Sequence, residues 1–249
     1  MTRLSRPTLY QCPACAGYFT RPVLTFLHFH DDVPKWTDGM NGQWWAGIGA
    51  PVGRCPSCLG IVWIDDATQI MPAPSKPRPV GAVARLWHRL TGDRQGRLQG
   101  ERNWLSLPRE IKDAGHIKGL QGAQDFWEAL AKLVPDDLDR ETYVRRRLWW
   151  ASNDHQRLSE HSSAVSAEHV MPVAKAQANM HRLLELIERD PKQQVERGEL
   201  LRQLGRFDDA IAVLTAILPD GHSEVHASKI ERLARRRDNK LQILNGTVW

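Results

Sequence analysis

"QCPAC" at residues 11–15 and "RCPSC" at residues 54–58 are nearly one five-residue word written twice, and together they hold all four cysteines of a 249-residue chain. Each is Cys-Pro-x-Cys. A Cys-x-x-Cys turn presents two sulfurs on one side of an ion, and two such turns complete the tetrahedral shell that zinc takes with soft ligands. Proline after the first cysteine holds φ near the value a tight turn needs. A glycine lies just beyond each second cysteine, in Ala16-Gly17 and Leu59-Gly60. There a positive φ would turn backbone N–H groups toward the thiolates. Extended apolar stretches follow, "GYF" and "GIVWI". Strand, knuckle, strand is the order of a zinc ribbon, and the pattern predicts one structural zinc ion held by Cys12, Cys15, Cys55 and Cys58.

Two other chemistries draw on the same residues. A thioredoxin-like redox pair opens a helix within a βαβ unit, and neither motif here is followed by a helical period. Iron–sulfur clusters usually take three closely spaced cysteines rather than two separated pairs. Four thiolates leave no position for water or substrate, so the site reads as scaffold. The 39 residues between Cys15 and Cys55 exceed the roughly 15 to 20 of the common four-cysteine spacing, so a folded excursion is expected. "VLTFLHFHDD" (23–32) alternates like a strand, "TDGMNGQ" (37–43) carries Asp-Gly and Asn-Gly, and "WWAGIGA" (44–50) resumes extension. Together they predict a hairpin. His28 and His30 share one face of that strand and, with four cysteines sufficient, read as exposed or partner-facing. The glycines of "GIGAPVG" (47–53) precede no helix and make no dinucleotide loop.

The chain has 34 Lys+Arg against 29 Asp+Glu, a net +5, with 41% hydrophobic residues. This is the composition of a soluble globular protein, and the charge permits a polyanionic partner without requiring one. No apolar run approaches the roughly 20 residues of a membrane span. The start, "MTRLSRPTLYQC", lacks the apolar core of a secretory leader. Reduced, metal-bound thiols place the expected location in the cytoplasm. Most of the ten tryptophans read as core anchors.

Residues 71–81, "MPAPSKPRPVG", hold four prolines and read as a connection. Residues 76–118 carry ten Lys+Arg against four Asp+Glu, and "VARLWHRL" (83–90) fits a short basic helix presenting Arg85 and Arg89. After residue 119 the period becomes 3.6. One stripe runs through Ala123, Phe126, Trp127, Leu130, Leu133 and Val134, stopped by Pro135. "DDLDRETYVRRRLWWAS" (136–152) places acids at a helix start and arginines toward its end. Val173, Ala176, Met180, Leu183, Leu184 and Ile187 mark another helix, Val195, Leu200, Leu201 and Leu204 a further one. Phe207, Ala210, Ile211, Leu214, Ile217 and Leu218 form a third clear stripe, and "EVHASKIERLARRRDNKLQIL" (224–244) a last basic helix. The fold class is therefore α+β: a zinc-ribbon domain with a hairpin insert over 1–72, a basic connection over 73–118, and a helical domain over 119–249.

"GELLRQLGRFDDAIAVLTAIL" (198–218) resembles the tetratricopeptide repeat. Gly198 stands at its small-residue position, Leu201 at a large one, "GRFDDAI" at the turn, and Phe207, Ala210 and Leu214 at packing positions. "ANMHRLLELIERDP" (178–191) resembles the end of a preceding repeat. The pattern is departed from at Gln194, at the early Pro219 and in the long loop 152–170. As a whole the chain is similar to bacterial proteins of unassigned role that join an N-terminal zinc ribbon to a degenerate repeat-like helical region. That resemblance implies architecture and no activity.

Walker, H-E-x-x-H and G-x-S-x-G motifs are absent from the sequence, so no enzyme class is indicated. Paired helices with a closed metal site point to a non-catalytic protein–protein interaction module, an adaptor or an inhibitor of the immunity type. Its contacts would be the helical groove, the aromatic insert with Trp36, Trp44 and Trp45, and the basic Arg85 and Arg89. The alternative is nucleic-acid binding, with the same cations on phosphate and tryptophans on bases. Its weak point is that +5 is spread over 249 residues.

Overall fold

The computed structural model describes residues 3–4, 6–22, 24–26, 35–40, 49–74, 76, 94–159, 171–217 and 222–245. His28, His30, Trp44, Trp45 and the basic segment 83–90 with Arg85 and Arg89 lie outside them. The chain is α+β and forms two compact units, each built from two stretches: Met1–His28 with Gly47–Leu120, and Phe29–Ala46 with Gln121–Trp249.

Its strands are β1 (Arg3–Leu4), β2 (Thr8–Gln11), β3 (Tyr18–Arg21), β4 (Leu24–Phe26), β5 (Lys35–Trp36), β6 (Val52–Arg54), β7 (Ile61–Trp63), β8 (Thr68–Pro72), β9 (Gly115–His116), β10 (Lys118–Gly119) and β11 (Ile243–Asn245). The helices are α1 (Arg94–Ser106), α2 (Arg109–Lys112), α3 (Gly122–Ala131), α4 (Leu138–Ser159), α5 (Val173–Ile187), α6 (Gln194–Gln203), α7 (Phe207–Thr215) and α8 (His222–Arg235).

In the first unit each Cys-Pro-x-Cys turn joins an antiparallel pair. β2 and β3 flank the first, with Tyr10 opposite Phe19, and β6 and β7 flank the second, with Gly53 opposite Val62. The sheets run β8-β2-β3-β9 and β10-β6-β7. Leu9 and Tyr10 are both buried although adjacent in β2, as are Phe19 and Thr20 in β3, so this sheet is covered on both faces. Tyr10 and Phe19 stack with centroids 5.6 Å apart. They share one apolar cluster with Val62, Ile64 and the sulfur-bearing Cys12 and Cys55, so the unit's core and its candidate metal site are the same place.

The second unit is mainly helical. Trp149 of α4 packs with Met180, Leu183 and Ile187 of α5 and Leu200 of α6. Leu201 and Ala210 join Ala234, while Leu214 joins Ala227 and Ile230 of α8. Gly198 decides how closely α6 meets α7, because a Cβ there would sit 2.5 Å from the Leu214 side chain. Gly205, at φ +76°, ends α6.

Most of the two strands expected for the hairpin, residues 27–34 and 41–48, lies outside the described residues. β5 pairs antiparallel with β11, Trp36 opposite Ile243, and not with β4, which pairs with β1. The Asp-Gly turn does form: Gly39 N–H donates to the Trp36 carbonyl at 2.9 Å, with Gly39 at φ +82°. Asp38 is wholly buried, accepting from Asn153 Nδ2 at 2.9 Å and from Arg157 of α4. The Trp150 indole donates to the Asp38 carbonyl at 2.8 Å. α4 runs to Ser159, past the start of the loop expected from 152, and this last helical stretch brings Asn153 and Arg157 to Asp38.

Two other ends differ from the periodicity. α3 stops at Ala131 where Lys132 N–H turns back to Ala129, leaving Val134 68% exposed. α8 stops at Arg235, and Ile243–Asn245 is strand because β5 supplies an edge for it.

Candidate metal centre

The two knuckles are built alike, bond for bond. Cys12 N–H donates to the Gly17 carbonyl and Ala16 N–H to the Cys12 carbonyl; Cys55 N–H donates to Gly60 and Leu59 N–H to Cys55, all at 2.9 Å. The residue leading each word closes the turn from outside. Gln11 Nε2 donates to the Ala16 carbonyl at 3.2 Å, and Arg54 Nη1 to the Leu59 carbonyl at 3.0 Å. The initial Q and R of the two motifs thus perform one task, which spacing rules that begin at the cysteine overlook.

The positive φ does not fall on the glycines. Ala16 takes φ 56° and Leu59 φ 60°, a left-handed conformation costing a non-glycine residue roughly 1–2 kcal/mol. Gly17 is required by proximity instead: a Cβ there would lie 2.8 Å from Ser57 Oγ in the other knuckle and 3.2 Å from Cys15 Sγ. At Gly60 it would lie 3.3 Å from Cys58 Sγ. Gly17→Ala is accordingly expected to weaken metal binding about tenfold or more, the usual effect of disturbing the layer behind the ligands. A competition titration against a chromophoric chelator reads it directly.

The four sulfurs of Cys12, Cys15, Cys55 and Cys58 lie within 4.8 Å of one another, and Cys15 Sγ to Cys55 Sγ is 3.9 Å. Tetrahedral zinc with bonds of about 2.3 Å needs edges of about 3.8 Å between sulfurs, so the arrangement fits one ion. Cys12 and Cys55 are buried at 2% and 0%, while Cys15 and Cys58 face solvent.

The backbone prepares one sulfur for ionisation. Burial opposes the Cys55 thiolate, but N–H groups of Cys58 and Ser57 and the thiols of Cys12 and Cys58 outweigh it and bring the group down to about 7. The Ser57 N–H lies 3.4 Å from that sulfur. At Cys15 the Gly17 N–H favours the thiolate, yet desolvation and the thiols of Cys58, Cys12 and Cys55 push it up to about 12. Burial also raises Cys12. One anion forms readily while Cys12 and Cys15 resist, so uptake of a cation by the thiolates must release protons.

Trp36 lies in the interior of the second unit, 5% exposed with the Arg157 guanidinium 5.7 Å over its ring, so its face is covered by the protein's own cation. Among the described residues no helix is long and apolar enough to cross a membrane. In comparisons with known proteins no family model matches this chain, and no curated protein or solved structure is significantly similar to it.

Proposed function

We propose that the protein is a non-catalytic, zinc-containing protein–protein interaction module, an adaptor or an inhibitor of the immunity type, whose metal site is scaffold and whose helical unit meets the partner. The observation that carries the reading is the convergence of four thiol sulfurs within 4.8 Å. Four thiolates saturate tetrahedral zinc and leave no vacancy for a substrate. Zinc is the metal that fits soft, tetrahedral sulfur donors without a redox requirement.

For the partner, the second unit offers a cavity of about 310 Å³ lined by Trp150, Val195 and Ile230 with Lys192, Glu196 and His226 at its polar side. An apolar floor with a few polar groups suits an inserted side chain. Burial raises the Glu196 carboxyl although Arg146 holds it at 2.7 Å. Trp36 is core and takes no part.

Selection of peptides from a displayed random library on the zinc-loaded chain tests this reading. Binders are expected to lose affinity tenfold or more against Lys192→Glu/Val195→Glu at unchanged metal content. Selected peptides that bind both proteins equally, or hydrolytic or transfer activity that vanishes with the metal, would overturn it.

A further inference from the structure

The charge of the chain is segregated between the units. The first, Met1–His28 with Gly47–Leu120, carries 14 Lys+Arg against 6 Asp+Glu, a net +8; the second carries 20 against 23, a net −3. The whole-chain +5 conceals this difference. A divalent ion on four thiolates contributes −2 and leaves the first unit at about +6. Eleven of its 14 cations are arginine, whose planar fork matches phosphate oxygens two at a time.

The sheet that carries the second knuckle concentrates part of this charge. Arg54 of β6 stands directly opposite Lys118 of β10. Residues opposite one another on antiparallel strands project from the same face, and like charges there repel. The Arg54 guanidinium donates to the Leu59 carbonyl, which leaves Lys118 as the more exposed cation of the two. Arg54 also precedes Cys55, so Lys118 of β10 lies beside the strand that leads into a metal ligand. Lys76, Arg102 and Lys118 are exposed; Arg6 is exposed with its Nε donating to the Ala73 carbonyl at 2.9 Å, and Arg109 is exposed and paired to Asp113 at 3.1 Å. These positions lie on a strand, on two helices and in connecting segments rather than along one amphipathic helix. A long polyphosphate suits that distribution better than a lipid headgroup layer, which is met by a helix with one apolar face.

We propose that the first unit binds the phosphate backbone of nucleic acid, without sequence preference. This goes beyond the protein-partner reading and does not depend on it, since the residues and the unit are different.

The test is fluorescence anisotropy of the zinc-loaded full chain with a labelled single strand of about 20 nucleotides and the matching duplex, from about 50 to about 200 mM salt. Micromolar binding to either probe at low salt is expected, weakening about 40-fold or more across the range, as about three phosphate contacts require. Lys76→Glu/Arg102→Glu/Lys118→Glu is expected to lose tenfold or more. Arg232→Glu/Arg236→Glu/Lys240→Glu moves the same net charge on the second unit and is expected to change affinity less than twofold. If the first triple variant loses its metal, Lys118→Gln alone reads the same contact as a salt slope shallower by about one. The proposal is overturned by no binding to either probe at low salt, by equal losses in the two triples, or by capture on anionic phospholipid vesicles where nucleic acid fails. Loss of peptide binding in Lys192→Glu/Val195→Glu leaves these outcomes untouched, so the two proposals fail separately.

Discussion

Replacing Cys55 by serine is expected to empty the metal site and unfold the first unit while the helices of the second persist. Structural zinc contributes about 10–16 kcal/mol in small zinc-dependent folds, as much as the whole net stability of an ordinary domain, about 5–15 kcal/mol. Here the loss is compounded by location. Cys55 is 0% exposed and packs with Tyr10, Phe19, Val62 and Ile64, so serine places a hydroxyl in an apolar cluster as well as removing a ligand. Elemental analysis should show the metal gone. Hydrogen exchange should show protection lost over β2, β3, β6 and β7 and kept over α5 to α7, and a strong chelator should give the wild type the same pattern. Full protection of those strands without metal would contradict the scaffold reading.

The second large effect belongs to the helical unit. Glu199→Ala is expected to cost about 3–5 kcal/mol, the range for breaking a buried ion pair by removing one partner. Glu199 and Arg202 are both fully buried and joined twice, Nε to Oε2 at 2.7 Å and Nη2 to Oε1 at 2.6 Å. Gln203 Nε2 also donates to Glu199 at 2.8 Å. Without the carboxylate a guanidinium is left inside the unit. Glu199→Leu/Arg202→Met is expected to recover part of the loss, since apolar replacement of a buried pair is often nearly neutral. Recovery stays incomplete because Arg202 also donates to the carbonyls of Asp238 and Lys240, which methionine cannot satisfy. Urea unfolding followed by circular dichroism decides it. A Glu199→Ala protein within about 1 kcal/mol of wild type would show that the pair is not what holds these residues in.

The knuckles were legible because a four-residue word with two sulfurs admits few geometries, and the stripes of α5 and α7 because apolar side chains three and four apart share one face of a helix. Gly198 was singled out through the repeat resemblance, and its reason in the structure is the Leu214 side chain 2.5 Å from where a Cβ would sit. What escaped was set by partners far along the chain. Trp36 read as a surface aromatic, yet β11 pairs with it from more than 200 residues away, and no local pattern announces such an edge. Asn153 and Arg157 looked like loop residues, yet they lie on α4 and meet the Asp38 carboxylate. Glycine after each knuckle was noticed, but its reason was misassigned: only the neighbouring knuckle's Ser57 shows that position 17 lacks room rather than needing a left-handed backbone. The charge segregation was hidden because the unit boundaries cross the chain three times and a count by halves mixes the two.

That interleaving governs how the molecule can be dissected. A fragment beginning at Gln121 would carry Asn153, Arg157 and Arg202 but leave behind Asp38, the buried acceptor of Asn153 and Arg157, and Thr37, whose hydroxyl lies 3.4 Å from Arg202. It would also leave β11 without β5, its ladder neighbour among the described residues, a bare edge inviting self-association. Expression boundaries drawn by reading along the chain would therefore yield a truncated, aggregation-prone piece, and separating the two halves calls for circular permutation or for supplying residues 29–46 as a complementing peptide.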